Sequence, residues 1–201
     1  MTRIIAGKYR GRELKVPAKG TRPTSSRVRE ALFSRLEHWN LIQNCDILDL
    51  CAGSGALGIE ALSRGANSLD LIEKAPAAAR IIQDNLRTLK IDNARVYPQN
   101  IHAFLTGAPR KYDLVFFDPP YDMPNQEIAQ VAQSLAGGYL AEHSVIVIER
   151  AKRSGQPEWG SQLSVLDEKS YGDTIIWFLE LANETQAQKP EPSEKPTQAG
   201  E

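Results

Sequence analysis

Residues 49–58 read Asp49-Leu50-Cys51-Ala52-Gly53-Ser54-Gly55-Ala56-Leu57-Gly58. Gly53, Gly55 and Gly58 satisfy the spacing G-x-G-x-x-G directly after the short apolar run Asp46–Leu50. The stretch after them has the composition of a helix running to about Arg64. Strand, glycine turn and helix in that order predict a nucleotide-containing ligand over the carboxyl end of a parallel strand. Glu73 lies twenty residues beyond Gly53. An acid there can grip ribose hydroxyls. A glycine turn with no ligand explains less, because strand, turn, helix and acid all agree.

Working outward, the same alternation continues. Ser68–Glu73 reads as a second strand, and Pro76 suits the first turn of a helix ending near Lys90. Ala94–Tyr97 and Asp113–Asp118 are the third and fourth strands, a helix starts near Asn125, and Ser144–Glu149 is the fifth. Repeated βα units imply a parallel sheet with helices on both faces. Leu163–Glu168 and Thr174–Leu181 then follow one another across Tyr171-Gly172-Asp173 with no helix between them. They predict a closing antiparallel hairpin and a mostly parallel, seven-stranded sheet.

The chain has 201 residues, 41% apolar and 24% charged, with a net charge of -1. One domain of ordinary size with an extension fits that length. No stretch approaches a membrane span, and the start lacks the apolar run of a secretory signal. Cys45 and Cys51 match neither a disulfide framework nor paired zinc ligands. A reducing cytoplasm is the expected compartment.

The small net charge conceals an asymmetry. Residues 1–40 hold ten Lys/Arg against three Glu, whereas residues 183–201 hold two Lys against four Glu. Arg3–Ala6 and Glu13–Val16 flank a Gly-bounded turn and predict a β-hairpin. From about Ser25, Val28, Leu32, Leu36 and Trp39 recur at helical spacing, with Arg27, Arg29 and Arg35 off the apolar stripe. Such a hairpin is too small to stand alone, so it is expected to lean on the main domain. The division is then a basic extension over 1–40, a main domain over 41–182 and a disordered tail over 183–201, which has three prolines and almost no apolar residues. A basic arm suggests a polyanionic partner, and a solvated charged face explains it equally well.

The ligand's identity turns on Asp49. A dinucleotide brings a pyrophosphate that the helix amino terminus should stabilise. A carboxylate at the strand end repels phosphate but suits an ammonium group. S-adenosylmethionine carries an ammonium, a sulfonium and a ribose, without phosphate. Asn100, after the third strand, falls where a polar residue can meet an adenine, and it also suits a helix N-cap.

The second signal is Asp118-Pro119-Pro120-Tyr121, straight after Leu114-Val115-Phe116-Phe117. Two prolines stiffen the loop and remove two N–H donors. Methylation of an exocyclic amine needs acceptors that align the nitrogen lone pair, and the Asp118 carboxylate and Pro119 carbonyl can supply them. Tyr121 can stack on a base taken out of its helix. Elsewhere an Asp-Pro-Pro turn would mean little, but beside the glycine-loop strand it predicts catalysis. His38, His102 and His143 form no metal spacing, and Cys51 inside the loop is poorly placed as an attacking thiol. Trp39, Trp159 and Trp177 are expected to be structural. An NAD-dependent oxidoreductase would leave the Asp118–Tyr121 loop without work. A DNA adenine-N6 methyltransferase shares that loop, but the chain has no room for a domain reading duplex sequence.

RIIAGKYRGRELKVP, RPTSSRVREALFS, LDLCAGSGALGIEALSRGA, DLVFFDPPY and YGDT occur in that order between Arg3 and about Leu181. Together they resemble the RsmD family of bacterial 16S ribosomal RNA guanine-N2 methyltransferases, and the amino-terminal pair is the specific part. Cys51 stands where Phe is commoner, and Ser25-Ser26 where an acid is frequent. The resemblance implies a Rossmann-like class I S-adenosylmethionine-dependent methyltransferase fold. It also implies a cytoplasmic enzyme acting on 16S rRNA or a partly assembled small subunit, and the chain is further expected to be a monomer that uses no metal. Asp49, Cys51, Ala52, Gly53, Ser54, Gly55, Glu73 and Asn100 would hold the cofactor, and Asp118, Pro119, Pro120 and Tyr121 the base. Arg3, Lys8, Arg10, Arg12, Arg22, Arg27 and Arg29 would face the rRNA backbone.

Overall fold

The computed structural model describes residues 2–17 and 26–182. Arg22 and the segment 183–201 lie outside the described residues. The alternating apolar runs form a seven-stranded sheet. Its strands are β3 (Asp46–Leu50), β4 (Ser68–Ile72), β5 (Ala94–Tyr97), β6 (Tyr112–Phe117), β7 (Leu140–Ala151), β8 (Leu163–Tyr171) and β9 (Thr174–Leu181). They lie in the order β5-β4-β3-β6-β7-β9-β8. β3 through β7 pair in parallel, and β9 is antiparallel to both β7 and β8. The chain leaves β3 towards one edge and returns to its other side at β6. That reversal opens a crevice at the carboxyl ends of the two strands.

Both faces of the sheet are covered, as parallel sheets require. Ile47, Leu71, Phe116 and Val147 point to one side, against α1 (Ser26–His38), α2 (Ala56–Ser63) and α3 (Pro76–Leu89). Leu48, Leu50, Val115, Phe117 and Ile148 point to the other, against α4 (Ile101–Leu105) and α5 (Asn125–Ala136). The tryptophans are packing elements: Trp39 meets Phe178 edge-on at 5.1 Å, and Trp159 meets Trp177 at 5.6 Å. β7 runs longer than the stretch Ser144–Glu149 expected from its apolar core, because it has β6 on one side and β9 on the other.

The amino-terminal hairpin is shorter than its sequence suggests. Only β1 (Thr2–Arg3) and β2 (Glu13–Leu14) pair as strands. The reason is competition for backbone donors. The N–H groups of Ile5 and Ala6 leave the hairpin and bond the Glu60 carboxylate on α2, at 2.7 and 3.0 Å. Lys8 N–H donates to the Ser63 carbonyl at 2.7 Å, and Tyr9 N–H to Ser63 Oγ at 2.9 Å. Gly7 makes this approach possible: a Cβ there would lie 1.8 Å from the Ser63 carbonyl oxygen, and its φ is +79°. Ile4 and Leu14 complete the docking by entering the core.

Arg29 does not lie off the apolar stripe in solvent, as expected from helical spacing. It is 3% exposed and points at the docked arm, donating to Thr2 Oγ1 at 2.9 Å and to the Arg3 carbonyl at 2.6 Å. It is therefore removed from the proposed RNA surface. Arg35, half-buried, pairs with Asp167 of β8 and lies over the rings of Trp39 and Phe178.

Glu60 is fully buried and also bonds Arg64 at 2.8 Å. Replacing it with Ala leaves two amides without their acceptor and Arg64 with Glu37 but not Glu60 as its carboxylate partner. Urea unfolding should show a loss of about 3–5 kcal/mol, the range for breaking one side of a buried charge pair. Glu60→Gln keeps one acceptor oxygen and should lose less; equal stability of all three proteins would disprove the anchoring role.

Candidate active site

The crevice holds a cavity of about 570 Å³. Three loops at strand ends build its walls: Cys51 and Gly53 after β3, Glu73 to Ala75 after β4, and Asp118 to Met123 after β6. The turn after β5 adds Gln99, Asn100 and Ile101. Glycine-loop, acid and Asp-Pro-Pro-Tyr signals, far apart in sequence, thus meet around one space.

The glycine loop is held by named bonds. Ala52 N–H donates to the Ile72 carbonyl at 3.0 Å, and Gly55 N–H to the Ala52 carbonyl at 2.7 Å. Cys51 takes a left-handed backbone with φ 58°. Gly58 brings α2 against the sheet, since a Cβ there would lie 2.5 Å from Leu69 Cδ1 and 3.1 Å from Asp49 Oδ2. Glu73 closes the loop from the other side: Oε2 accepts from Gly53 N–H at 2.9 Å and Oε1 from Ala75 N–H at 2.8 Å. Each oxygen keeps a second lone pair for a hydroxyl in the cavity.

Asp49 is placed differently from its expected contact with a ligand's ammonium group. It is 2% exposed, absent from the cavity wall, and accepts the Gly58 N–H at 3.0 Å in the first turn of α2. Its carboxyl therefore occupies the helix terminus that a dinucleotide's phosphates would need. Ala52, Ser54 and Gly55 likewise shape the loop without lining the cavity, whereas Cys51, Gly53, Glu73 and Asn100 do line it. Asn100 caps α4, with Oδ1 accepting from Ala103 N–H at 2.7 Å. Burial and surrounding acids push the Cys51 thiol up to about 12, so it stays protonated.

On the opposite wall stand Asp118, Pro119, Pro120 and Tyr121. Tyr121 is 61% exposed, an open aromatic face at the mouth. Asp118 directly follows β6, and Glu149 occupies the neighbouring place on β7, one residue past the partner of Phe117. Desolvation, then Glu149, then Asp49 hold the Asp118 carboxyl well above the ordinary range. Arg150, which sequence reasoning missed, braces this loop from behind. It donates to the Pro120 carbonyl at 3.4 Å and to Asn125 Oδ1 at 3.2 Å. His102 and Glu127, also missed, join α4 to α5 across the rim at 3.0 Å. Their sequence signal is faint, since both are polar residues in first turns of helices. Pro17 of the arm reaches the cavity wall as well.

Burial raises Asp49 from 3.8 to about 7, with Glu73 adding to the rise and the Gly58 bond opposing it. The folded chain then keeps a proton that the unfolded chain releases, so this contribution to stability is present at low pH. It is lost as pH rises through about 7. Urea titrations at pH 5 and pH 8 should show wild type losing stability relative to Asp49→Asn. A pH-independent difference between the two would refute the shift.

Comparison with known proteins agrees with this architecture. The family model described as conserved hypothetical protein 95 matches residues 2–180. Ribosomal RNA small subunit methyltransferase D of Escherichia coli K12 is 41% identical over 172 residues, covering 85% of each chain. The enzyme of the same name from Haemophilus influenzae is 38% identical over 157 residues, covering 75% of this chain and 79% of its own. Among solved structures, the putative methyltransferase yhhF from Escherichia coli superposes with a TM-score of 0.81 at 37% identity, covering 89% of this chain and 97% of that one. With its Rossmann-like sheet and converging loops, the chain belongs to this family, the RsmD ribosomal RNA methyltransferases.

Proposed function

We propose that this chain transfers a methyl group from S-adenosylmethionine to the exocyclic N2 amine of one guanine in the 16S rRNA of the small subunit. One observation carries the reading: Glu73 and the glycine loop face the Asp118–Tyr121 loop across a single cavity at the β3–β6 reversal. The residues present fit the cofactor. Apolar Ile72, Ala78 and Ile101 flank the side lined by Glu73 and Asn100, as an adenosine requires, and Asp49 fills the helix terminus where a phosphate would go. Glu73 would hold the ribose, Asn100 the adenine edge, and Cys51 and Gly53 the loop backbone around them.

When bound, S-adenosylmethionine supplies a methyl group on positively charged sulfur. The protein's task is to make a weak nucleophile reactive. A guanine N2 lone pair is delocalised into the ring, and acceptors on its N–H groups turn it towards the methyl. Asp118 is such an acceptor, and its raised proton affinity suits it to take the proton that N2 gives up. Arg150 engages the Pro120 carbonyl, which leaves the Pro119 carbonyl as the second acceptor. Tyr121 stacks on the displaced base. Positioning is the main catalytic term.

The arm is the proposed rRNA surface. Lys8, Arg10, Arg12 and Arg27 are exposed; Arg3 is also exposed and bonded to Glu13 at 2.7 Å. Pro17 lines the same cavity, so the arm's exit reaches its rim.

Glu73→Ala should weaken S-adenosylhomocysteine binding in calorimetry by about 1.5–3 kcal/mol. Asp118→Ala should abolish methyl transfer to unmethylated small subunits yet bind S-adenosylhomocysteine nearly as wild type does. An active Asp118→Ala protein would remove this residue from the chemistry. Arg10→Ala/Arg12→Ala should flatten the log–log salt dependence of rRNA binding by roughly 1.4, about 0.7 for each phosphate contact on single strands. An unchanged slope would return the arm to a solvated face.

A further inference from the structure

Asn85 lies on α3, away from the cavity wall, and is 3% exposed. Its amide engages two backbone segments through both donors and its oxygen. Oδ1 accepts from Lys15 N–H at 2.9 Å, and Nδ2 donates to the Lys15 carbonyl at 3.0 Å. Nδ2 also donates to the Ser54 carbonyl at 3.1 Å. Lys15 follows β2 at the exit of the basic arm, two residues before Pro17 at the cavity wall. Ser54 stands between Gly53, which lines the cavity, and Gly55, the N-cap of α2. One buried side chain therefore joins the arm's exit to the glycine loop.

We propose that Asn85 is a positioning residue that couples the arm to the cofactor loop, so that rRNA and S-adenosylmethionine each bind more tightly when the other is in place. The inference rests on the arm being the rRNA contact, as argued above. A polyanion held on the arm restrains Lys15. Through the shared amide it restrains Ser54, so part of the loop's ordering is complete before the cofactor arrives. Linkage makes the effect reciprocal, because the same coupling free energy appears in both affinities. A lone structural clamp would stabilise the fold without making one affinity depend on the other ligand.

Equilibrium dialysis of radiolabelled S-adenosylhomocysteine, with and without saturating transcribed 16S rRNA, measures the coupling directly. Wild type should bind about fivefold or more tightly with rRNA, the lower end of ordinary allosteric couplings. Asn85→Ala should give a ratio near one, whatever its affinity for the small molecule alone. Hydrogen exchange on wild type needs no variant: S-adenosylhomocysteine alone should slow exchange of the Lys15 amide. A wild-type ratio of one, a coupling that survives Asn85→Ala, or an unresponsive Lys15 amide would each overturn the proposal while leaving the arm's contact with rRNA intact. Full rRNA affinity in Arg10→Ala/Arg12→Ala would overturn the reading of the arm, and this proposal with it.

Discussion

The absence of a side chain at Gly58 sets the distance between α2 and the sheet. With any Cβ there, Leu69 of β4 and the Asp49 carboxyl would have to give way. Because α2 rides so low, its first-turn amide meets Asp49 and the preceding loop folds tightly over the end of β3. The same placement points Glu60 and Ser63 at the amino-terminal arm. Cofactor loop and arm are thus two ends of one short helix whose height is fixed by one close contact.

Most of the sheet was legible because each strand's apolar residues are bounded by turn residues and followed by a helix with its own period. The cavity was legible for a related reason: in such sheets, function gathers where strands end, and Glu73 and Asp118 stand at ends that the sequence marks. What escaped depends on contacts across long separations. Arg29 is a cation beside an apolar stripe, which ordinarily means solvent; only the docked arm supplies the Thr2 hydroxyl and Arg3 carbonyl that bury it. The strands of the hairpin are cut short by Glu60, some 55 residues away. Asp49 was recognisable as important from its place before the glycines, but a strand-end acid reads the same whether it faces a ligand or a helix terminus.

Charge is distributed unevenly around the site. Asp49, Asp118 and Glu149 come from the carboxyl ends of three neighbouring strands, and burial dominates the raised proton affinity of the first two. Such a region disfavours anions and favours groups that bring N–H donors or positive charge. Lys74 and Arg150 adjoin it, whereas the exposed Lys8, Arg10 and Arg12 lie apart on the arm. On the proposed reading, an anionic backbone and a donor-rich base edge meet different surfaces of the same protein.

The arm is held by its main chain. Ile5, Ala6, Lys8, Tyr9 and Lys15 dock through amide groups, while Thr2, Ile4 and Leu14 bury their side chains. Docking of this kind is nearly indifferent to the identity of the outward residues, provided Gly7 and the loop length are kept. The outward positions are therefore free to drift or be exchanged without loosening the scaffold. If the arm contacts rRNA as proposed, arms with other charge patterns on the same helix would direct one catalytic domain to different RNA targets.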